Sequence, residues 1–403
     1  MEKSNNLTRQ TSASTKQSIH TIFAALCAIG IAFGMSRFTY ASLVPSLIKE
    51  SWVTLPQAGF LGGTNSIGYM MSCIFVAISI RHFGVRRTLQ SGLVIGVIGA
   101  LMSSFDLNFG WLAFARWIAG VSAAPLLILT PSVLVNNIPD SWHKISTGLA
   151  FSGGGIFTVF TALTIPIFLH QGVQSAWFYE LLIISVATIA VWPLTRLAPS
   201  KPSFKQQQSI RTTGSQKQVL LGLRLALCFG AMGAQAPLIL LTDYLHKNLH
   251  LPINTASEIF SAVGIGFICG AACSGILITF FGSRMSLLIV QLTGVASLAL
   301  ILISQNIMII GLAAALIGFF VLGSVASSSH RSMEVVGQLN HPISWSKTVF
   351  LTGLGSVIGA NGLSYLLYLG NSYQYIFSLA IVALVLAFVF TAGLSCRCLA
   401  NEA

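Results

Sequence analysis

Long apolar runs separated by short polar segments fill almost the whole chain. Each run reaches roughly the 20 residues that a helix needs to cross a bilayer. The runs lie at 19–46, 56–80, 88–105, 109–136, 146–169, 175–196, 218–244, 255–280, 285–304, 307–329, 345–369 and 373–395. They are continuous, whereas the strands of an outer-membrane barrel alternate over about ten residues. The pattern therefore predicts an all-α membrane protein with twelve transmembrane helices.

The longest polar segment divides the predicted helices into two groups of six. It lies at 198–217, where Lys, Gln, Ser, Pro and Gly dominate, a composition that is typical of a flexible linker. The pattern thus predicts two six-helix bundles. The predicted organisation is a tail at 1–18, a bundle at 19–197, the linker at 198–217, a second bundle at 218–395 and a tail at 396–403.

The two predicted bundles share a pattern of glycines. Three glycines of the first bundle recur 198 positions later: Gly68 as Gly266, Gly84 as Gly282, and Gly120 as Gly318. Pseudo-symmetric halves of this kind are one of the recurrent plans of membrane transporters. The glycine pattern therefore predicts that the bundles are structural repeats.

Composition and charge place this bundle in a lipid membrane. Charged residues make up 7% of the chain and hydrophobic residues 54%, whereas soluble domains carry about 25% charged residues. Of the 21 Lys and Arg residues, only Lys49 and Lys247 fall in predicted outer loops, and Arg37 and Arg116 lie deep within runs. This bias predicts cytoplasmic N and C termini and a bacterial inner-membrane location. The net charge of +12 is thus a topology signal, and no nucleic acid is expected as a partner.

Two helix starts carry sequence signals of their own. Thr54 is followed three residues later by Gln57, and Thr255 is followed by Glu258. Both patterns predict capping boxes, in which side chains satisfy the free amide groups of a first helical turn.

The loop after the second run carries a family signature. Residues 77–87 read Ala-Ile-Ser-Ile-Arg-His-Phe-Gly-Val-Arg-Arg, with a fainter copy at 275–284. The segment resembles the signature loop of the major facilitator superfamily, with Arg81 where the family has an Asp. The Gly34 to Tyr40 segment and Gly68-Tyr69 are similar to the YbfB/YjiJ-like branch of that superfamily. The resemblance implies a solute carrier whose loops act as a conformational switch through Gly84, Arg86, Arg87, Gly282 and Arg284.

Two arginines within the runs are the main candidates for chemistry. A charge inside a membrane costs several kcal/mol, so Arg37 and Arg116 require a partner or a function. They lie at similar depth, and the resemblance implies that both helices line a central cavity. Guanidinium groups bind carboxylate or phosphate through two parallel hydrogen bonds, which favours an anionic substrate. The alternative is a structural brace, in which either arginine pairs with helix carbonyls or with Glu180.

Further candidates are neutral polar residues and a few titratable groups. The predicted substrate-binding residues are Arg37, Tyr40, Asn65, Arg116, Gln235, Asn361 and Tyr365. A proton-coupled carrier needs a titratable group that burial can tune. The coupling candidates are Glu180, Asp243 and His330.

These observations favour secondary active transport of a small solute by alternating access, with ion or proton coupling. The alternatives are a drug efflux pump and a transporter-like sensor that does not transport. The chain lacks the His-Glu-x-x-His, Gly-x-Ser-x-Gly and phosphate-loop motifs of enzymes. No enzymatic activity, cofactor or metal is expected. The expected partners are the lipid bilayer, a small-molecule substrate and protons, and the protein is expected to be a monomer.

Overall fold

The computed structural model describes residues 2–199, 213–370 and 372–396, and these residues are almost entirely helical. Most of the predicted linker and the predicted tail from 397 onward lie outside the described residues. The α-helices are α1 (Glu2–Ile29), α2 (Tyr40–Lys49), α3 (Leu55–Ser103), α4 (Phe109–Val135), α5 (His143–Leu169), α6 (Val173–Leu197), α7 (Gly214–Asn248), α8 (Ile253–Ile303), α9 (Ile307–Tyr368) and α10 (Tyr373–Cys396). A π-helix, Gly30–Thr39, joins α1 to α2, and a 3-10 turn, Asp140–Trp142, precedes α5.

Three of these helices are too long to cross a bilayer once. Nine helices in the described part of the chain are long and apolar enough to be membrane spans. Among them, α3, α8 and α9 contain 49, 51 and 62 residues, against about 20 for one crossing. Each contains one non-helical glycine, at Gly84, Gly282 and Gly337. The fold is thus the predicted all-helical membrane bundle, while the count of twelve spans and the position of the termini stay predictions.

The three glycines share one backbone conformation. Their φ angles are 82°, 78° and 76°, and their ψ angles are 167°, 164° and 161°. This region is open essentially to glycine alone, so each glycine permits an abrupt change of direction between two helices. We call the end of the bundle that carries Gly84, Gly282 and Gly337 the turn end.

The segment 330–344, which lies between two predicted runs, is helical and partly buried. Helix α9 interrupts its helical geometry only at Gly337. His341 within this segment is 0% exposed. The serines that precede it, Ser327, Ser328 and Ser329, are also 0% exposed.

One of the two predicted capping boxes is found where expected. The backbone amide of Thr54 donates to Gln57 Oε1 at 2.8 Å, and α3 begins at Leu55. The second prediction is wrong, because α8 begins at Ile253 with Pro252 as its N-cap residue. Proline lacks an amide hydrogen and suits a helix start, so the helix begins before Thr255.

Matching close contacts support the predicted repeat. A Cβ on Gly68 would clash with the carbonyl oxygen of Trp117, and one on Gly266 would clash with that of Ala315. Both partners, like both glycines, lie 198 positions apart. Gly120 packs in the same way on the carbonyl of Asn65, and Gly318 on that of Val263. Small residues let helix backbones approach closely, and here they do so at equivalent points of the two halves.

Helices of the two halves are in close contact near the turn end. A Cβ on Gly148 of α5 would lie 2.6 Å from the Ala271 carbonyl oxygen of α8, and one on Gly155 would lie 2.6 Å from the Ile268 amide nitrogen. Toward the opposite end, one apolar cluster around Tyr40, Leu43 and Trp177 contains residues of the first half only. The halves are therefore packed together at the turn end.

Candidate functional site

Arg116 lies at the centre of a buried polar group in the first half. Its side chain is 2% exposed, and its Nη2 donates to the carbonyl oxygen of Ser36 at 2.7 Å. Asn65 Nδ2 donates to that same carbonyl and to the carbonyl of Arg116, both at 3.1 Å. The guanidinium carbon lies 4.8 Å from the centre of the Tyr40 ring and 5.8 Å from that of Trp177. Arg116, Tyr40 and Asn65 thus form one cluster, which we call the Arg116 centre.

The Arg116 centre borders a small cavity of about 10 Å³ that Glu180 also lines, which is about the room that one water molecule needs. Glu180 projects from α6 and is 2% exposed. Its Oε2 and the Nε of Arg116 have no hydrogen-bond partner among the described residues, although both side chains line the same cavity. A buried charged atom without a partner is costly, so this cavity contains polar groups that can take up a proton or a small polar molecule.

Arg37 occupies a different place, in a cleft between the two halves. The cleft has a volume of about 50 Å³. Arg37 is half-buried, and no ion pair joins it to a carboxylate of the described residues. The cleft is lined by Phe33 and Arg37 of the π-helix, by Gln235 and its neighbours on α7, and by Phe320, Ser324, Thr352 and Ser356 on α9. An unpaired guanidinium, an amide and three hydroxyl groups therefore face one space.

The π-helical segment contributes side chains to both cavities. A π-helical turn contains more residues than an α-helical turn, and such segments are frequent at functional sites. Ser36, which bonds to Arg116, and Arg37, which lines the cleft, both lie within Gly30–Thr39. Neighbouring residues of one helix thus contribute to two separate cavities.

The remaining predicted substrate residues lie apart from both cavities. Asn361 and Tyr365 are exposed residues of α9, and Asn361 Nδ2 donates to the Val357 carbonyl of its own helix at 2.8 Å. They line neither of the two cavities described above. The side chain of Asp243, a predicted coupling residue, lies outside the described part of the structure.

His330, the third coupling candidate, belongs to an ionic cluster at the turn end. Its Nε2 lies 3.3 Å from Glu334 Oε1. Glu334 Oε2 accepts hydrogen bonds from Arg331 Nη1 at 3.1 Å and from Ser283 Oγ at 2.5 Å. Because Ser283 directly follows Gly282, Glu334 attaches the turn of α8 to α9.

The predicted switch loop of the first half is attached differently. The backbone amide of Arg86 donates to the carbonyl of Pro199 at 3.2 Å, and Arg87 is exposed. The backbone rather than a carboxylate therefore connects this turn to the neighbouring segment.

Comparison with protein families identifies the chain. A family model described as "Uncharacterised MFS-type transporter YbfB" matches residues 29–392. The chain belongs to this family of major facilitator transporters. The predicted recognition is therefore confirmed, with the match covering nearly the whole membrane bundle.

Individual relatives of this family member are distant. The TsgA homolog of Buchnera aphidicola subsp. Baizongia pistaciae is 20% identical over 285 residues, which are 70% of each chain. The fucose transporter FucP in its outward conformation is 14% identical over 92% of this chain and 97% of its own, with a TM-score of 0.69. Human MFSD10, an organic anion transporter, is 14% identical over 93% and 99%, with a TM-score of 0.74. At these identities the two structures show the shared fold alone.

Proposed function

We propose that this family member is a secondary active transporter that moves a small organic anion by alternating access. The observation that carries the proposal is Arg37, a guanidinium without an ion pair in a cleft between the two halves. A charge in a low-dielectric bundle is costly, and an anionic ligand would offset that cost. Gln235, Ser324, Thr352 and Ser356 supply neutral hydrogen-bonding groups beside it. The apolar rings of Phe33 and Phe320 in the same wall favour an organic anion over an inorganic one.

We assign Arg116 and Glu180 to ion coupling instead of substrate binding. Both are buried in the first half and face one internal cavity. Glu180 has a carboxylate oxygen without a partner, which can hold a proton while Arg116 remains attached to Ser36. The proposed coupling ion is therefore the proton.

A thermal-shift screen of purified protein against organic acids, neutral metabolites and lipophilic drugs tests the substrate class. A ligand at about 100 times its Kd stabilises a protein by about 2.7 kcal/mol. We expect stabilisation by an organic anion, loss of it in Arg37→Gln, and weaker binding in Arg37→Lys, because lysine lacks the planar fork. Arg87→Gln, an exposed arginine outside the cleft, is the matched control. Stabilisation by lipophilic cations that Arg37→Gln leaves unchanged would favour the drug-efflux alternative.

Reconstituted liposomes test the coupling with the ligand that the screen identifies. Glu180→Gln should abolish accumulation driven by a pH gradient and leave ligand exchange intact, because exchange needs no net proton movement. Asp106→Asn, at an exposed loop acid, should behave as wild type. Normal gradient-driven transport by Glu180→Gln would show that another group carries the proton, and absence of any flux would favour the sensor alternative.

We further propose that the turn end faces the cytoplasm of a bacterial inner membrane. The excess of Lys and Arg at this end supports that orientation. Reporter fusions at Asp106 and Gly172 should report the periplasm, and a fusion at Ser209 the cytoplasm. A periplasmic signal at Ser209 would contradict both the orientation and the two-bundle organisation.

A further inference from the structure

A buried histidine connects the two halves at the turn end. His341 of α9 is 0% exposed. Its Nδ1 lies 2.8 Å from Oγ of Ser132, which belongs to α4 in the first half. Its Nε2 lies 3.3 Å from Oγ of Ser329, in its own half. The imidazole thus bridges a residue of each half with its two nitrogens.

The packing around His341 fixes the ring in this position. The imidazole stacks on Trp345, with ring centres 5.7 Å apart and planes inclined by 16°. Trp345 is 0% exposed, and Ser132 is 4% exposed. The contact is therefore buried in the interface between the halves. Separating α4 from α9 at the turn end must break the hydrogen bond between His341 and Ser132.

Three serines of α9 close to His341 in the sequence have unpaired hydroxyl groups. Oγ of Ser328, Oγ of Ser332 and Oγ of Ser344 are buried without a hydrogen-bond partner among the described residues. Buried polar atoms without partners cost about 1–3 kcal/mol each. Opening the turn end to water would satisfy such groups, so the closed interface must be maintained by specific contacts, of which the His341 bridge is one.

The charges near His341 decide what protonation would do. His330 is the titratable group that acts on it electrostatically, and the carboxylate of Glu334 already contacts His330, Arg331 and Ser283. Helix α4 contributes no ionisable side chain beyond Arg116. The other charged or titratable groups at this end of the described chain are Arg81, His82, Arg86 and Arg87 on α3, Asp140, His143 and Lys144 at the start of α5, Arg196 on α6, Lys217 and Arg224 on α7, Arg284 on α8 and Lys347 on α9.

We propose that His341 is a proton-sensitive latch that holds the turn end closed while its imidazole is neutral. A neutral imidazole offers one donor and one acceptor to the two serine hydroxyls. A protonated ring would bury a positive charge near His330, with the nearest carboxylate already engaged. In an open turn end water would solvate the charge. Opening therefore takes up a proton, and a falling pH on that side favours the open state. This inference rests on the alternating access proposed above.

The experiment measures access to a buried cysteine in inside-out membrane vesicles. Ala271→Cys, at the α5–α8 contact and away from His341, is placed in a background whose seven native cysteines are replaced by serine or alanine. A membrane-impermeant maleimide labels it at about pH 8 and at about pH 6, a range that histidine titration covers. Each rate is divided by the rate of Arg87→Cys, an exposed position at the same end, which corrects for thiol reactivity.

The latch predicts a normalised labelling rate that rises as the pH falls, by at most about tenfold per pH unit for one proton. His341→Asn, which keeps polar atoms but does not titrate in this range, should remove the pH dependence. Ser132→Ala should raise labelling already at about pH 8. A pH-independent rate in the parent protein, or an unchanged pH dependence in His341→Asn, would overturn the proposal.

Two controls test whether misfolding or the identity of the substrate could account for this result. Arg87→Cys labelling and a single gel-filtration peak report folding of each variant, and Ser132→Ala keeps the test valid if His341→Asn fails to fold. The assay needs no ligand. A pH-dependent rate without any anion hit in the thermal-shift screen would support the latch and reject only the proposed substrate class.

Discussion

The two halves of the transporter share a scaffold but differ in what they bury. Equivalent glycines pack on equivalent carbonyls in both, yet Arg116 of the first half corresponds to Ala314 of the second, 198 positions later. The first half buries Arg116 and Glu180 beside one cavity. The described second half buries two histidines, His330 and His341, instead. The comparison indicates that the duplicated backbone contacts maintain the fold, while side-chain chemistry diverged between the halves.

The turns of the two halves likewise share backbone geometry but differ in their side-chain contacts. Gly84 and Gly282 have nearly identical φ and ψ angles. The next pair of connections differs, because the second half turns at Gly337 and the first half uses the 3-10 turn Asp140–Trp142. In the second half, the Glu334 carboxylate accepts a hydrogen bond from Ser283 and so joins the two turns. In the first half, a backbone hydrogen bond from Arg86 to Pro199 holds the turn.

The largest expected effect comes from removing the buried arginine of the first half. Arg116→Met should lower the free energy of unfolding by about 1.5–3 kcal/mol, because it removes a charged hydrogen bond to the Ser36 carbonyl and the cation that faces Glu180 across the cavity. Arg37→Met, at a half-buried arginine without an ion pair, is the matched control and should cost less. Thermal unfolding of the detergent-purified variants measures both. The double variant with Glu180→Gln should recover part of the loss, and no recovery would contradict the coupling of the two charges.

Substitution of the turn glycines tests whether the turns of the two halves are equivalent. Gly84→Ala and Gly282→Ala should each cost about 1–3 kcal/mol and by similar amounts, because alanine rarely adopts this conformation. Gly311→Ala in α9, where a Cβ meets open space, is the control and should be neutral or stabilising, since alanine favours helix over glycine. Thermal unfolding again provides the measurement. A large cost at Gly84 with none at Gly282 would show that the two turns are not equivalent.

Much of the scaffold could be predicted because its determinants are local in the sequence. The lengths of the apolar runs follow from the thickness of the bilayer, and Gly84 and Gly282 mark the turns because few other residues tolerate their conformation. The start of α8 was misplaced because Pro252 ends the preceding loop earlier than Thr255 suggested. Segment 330–344 separates two runs and does contain a turn, at Gly337, but nothing local in the sequence shows that His341 becomes buried against Ser132 of a distant helix.

The cavities were harder to predict than the fold. Arg37 and Arg116 lie at similar predicted depth, but depth does not determine the direction in which a side chain points around the helix axis. The π-helical segment Gly30–Thr39 changes that direction, and no motif in the run 19–46 marks it. The bridge from His341 to Ser132 joins residues 209 positions apart, and neither residue carries a local signal of the other.

The smallest expected effect concerns the ionic cluster that only the second half has. Glu334→Gln should lower the free energy of unfolding by about 1 kcal/mol, because hydrogen bonds to a charged group contribute about 1.5–3 kcal/mol when buried and solvent weakens them at a side chain that is 37% exposed. Asp140→Asn, at a side chain that is 98% exposed, is the matched first-half control and should be neutral. Chemical or thermal unfolding in detergent distinguishes the two. Equal effects of both substitutions would mean that the carboxylate of Glu334 does not hold Ser283, and that the second-half turn, like the first, depends on its backbone alone.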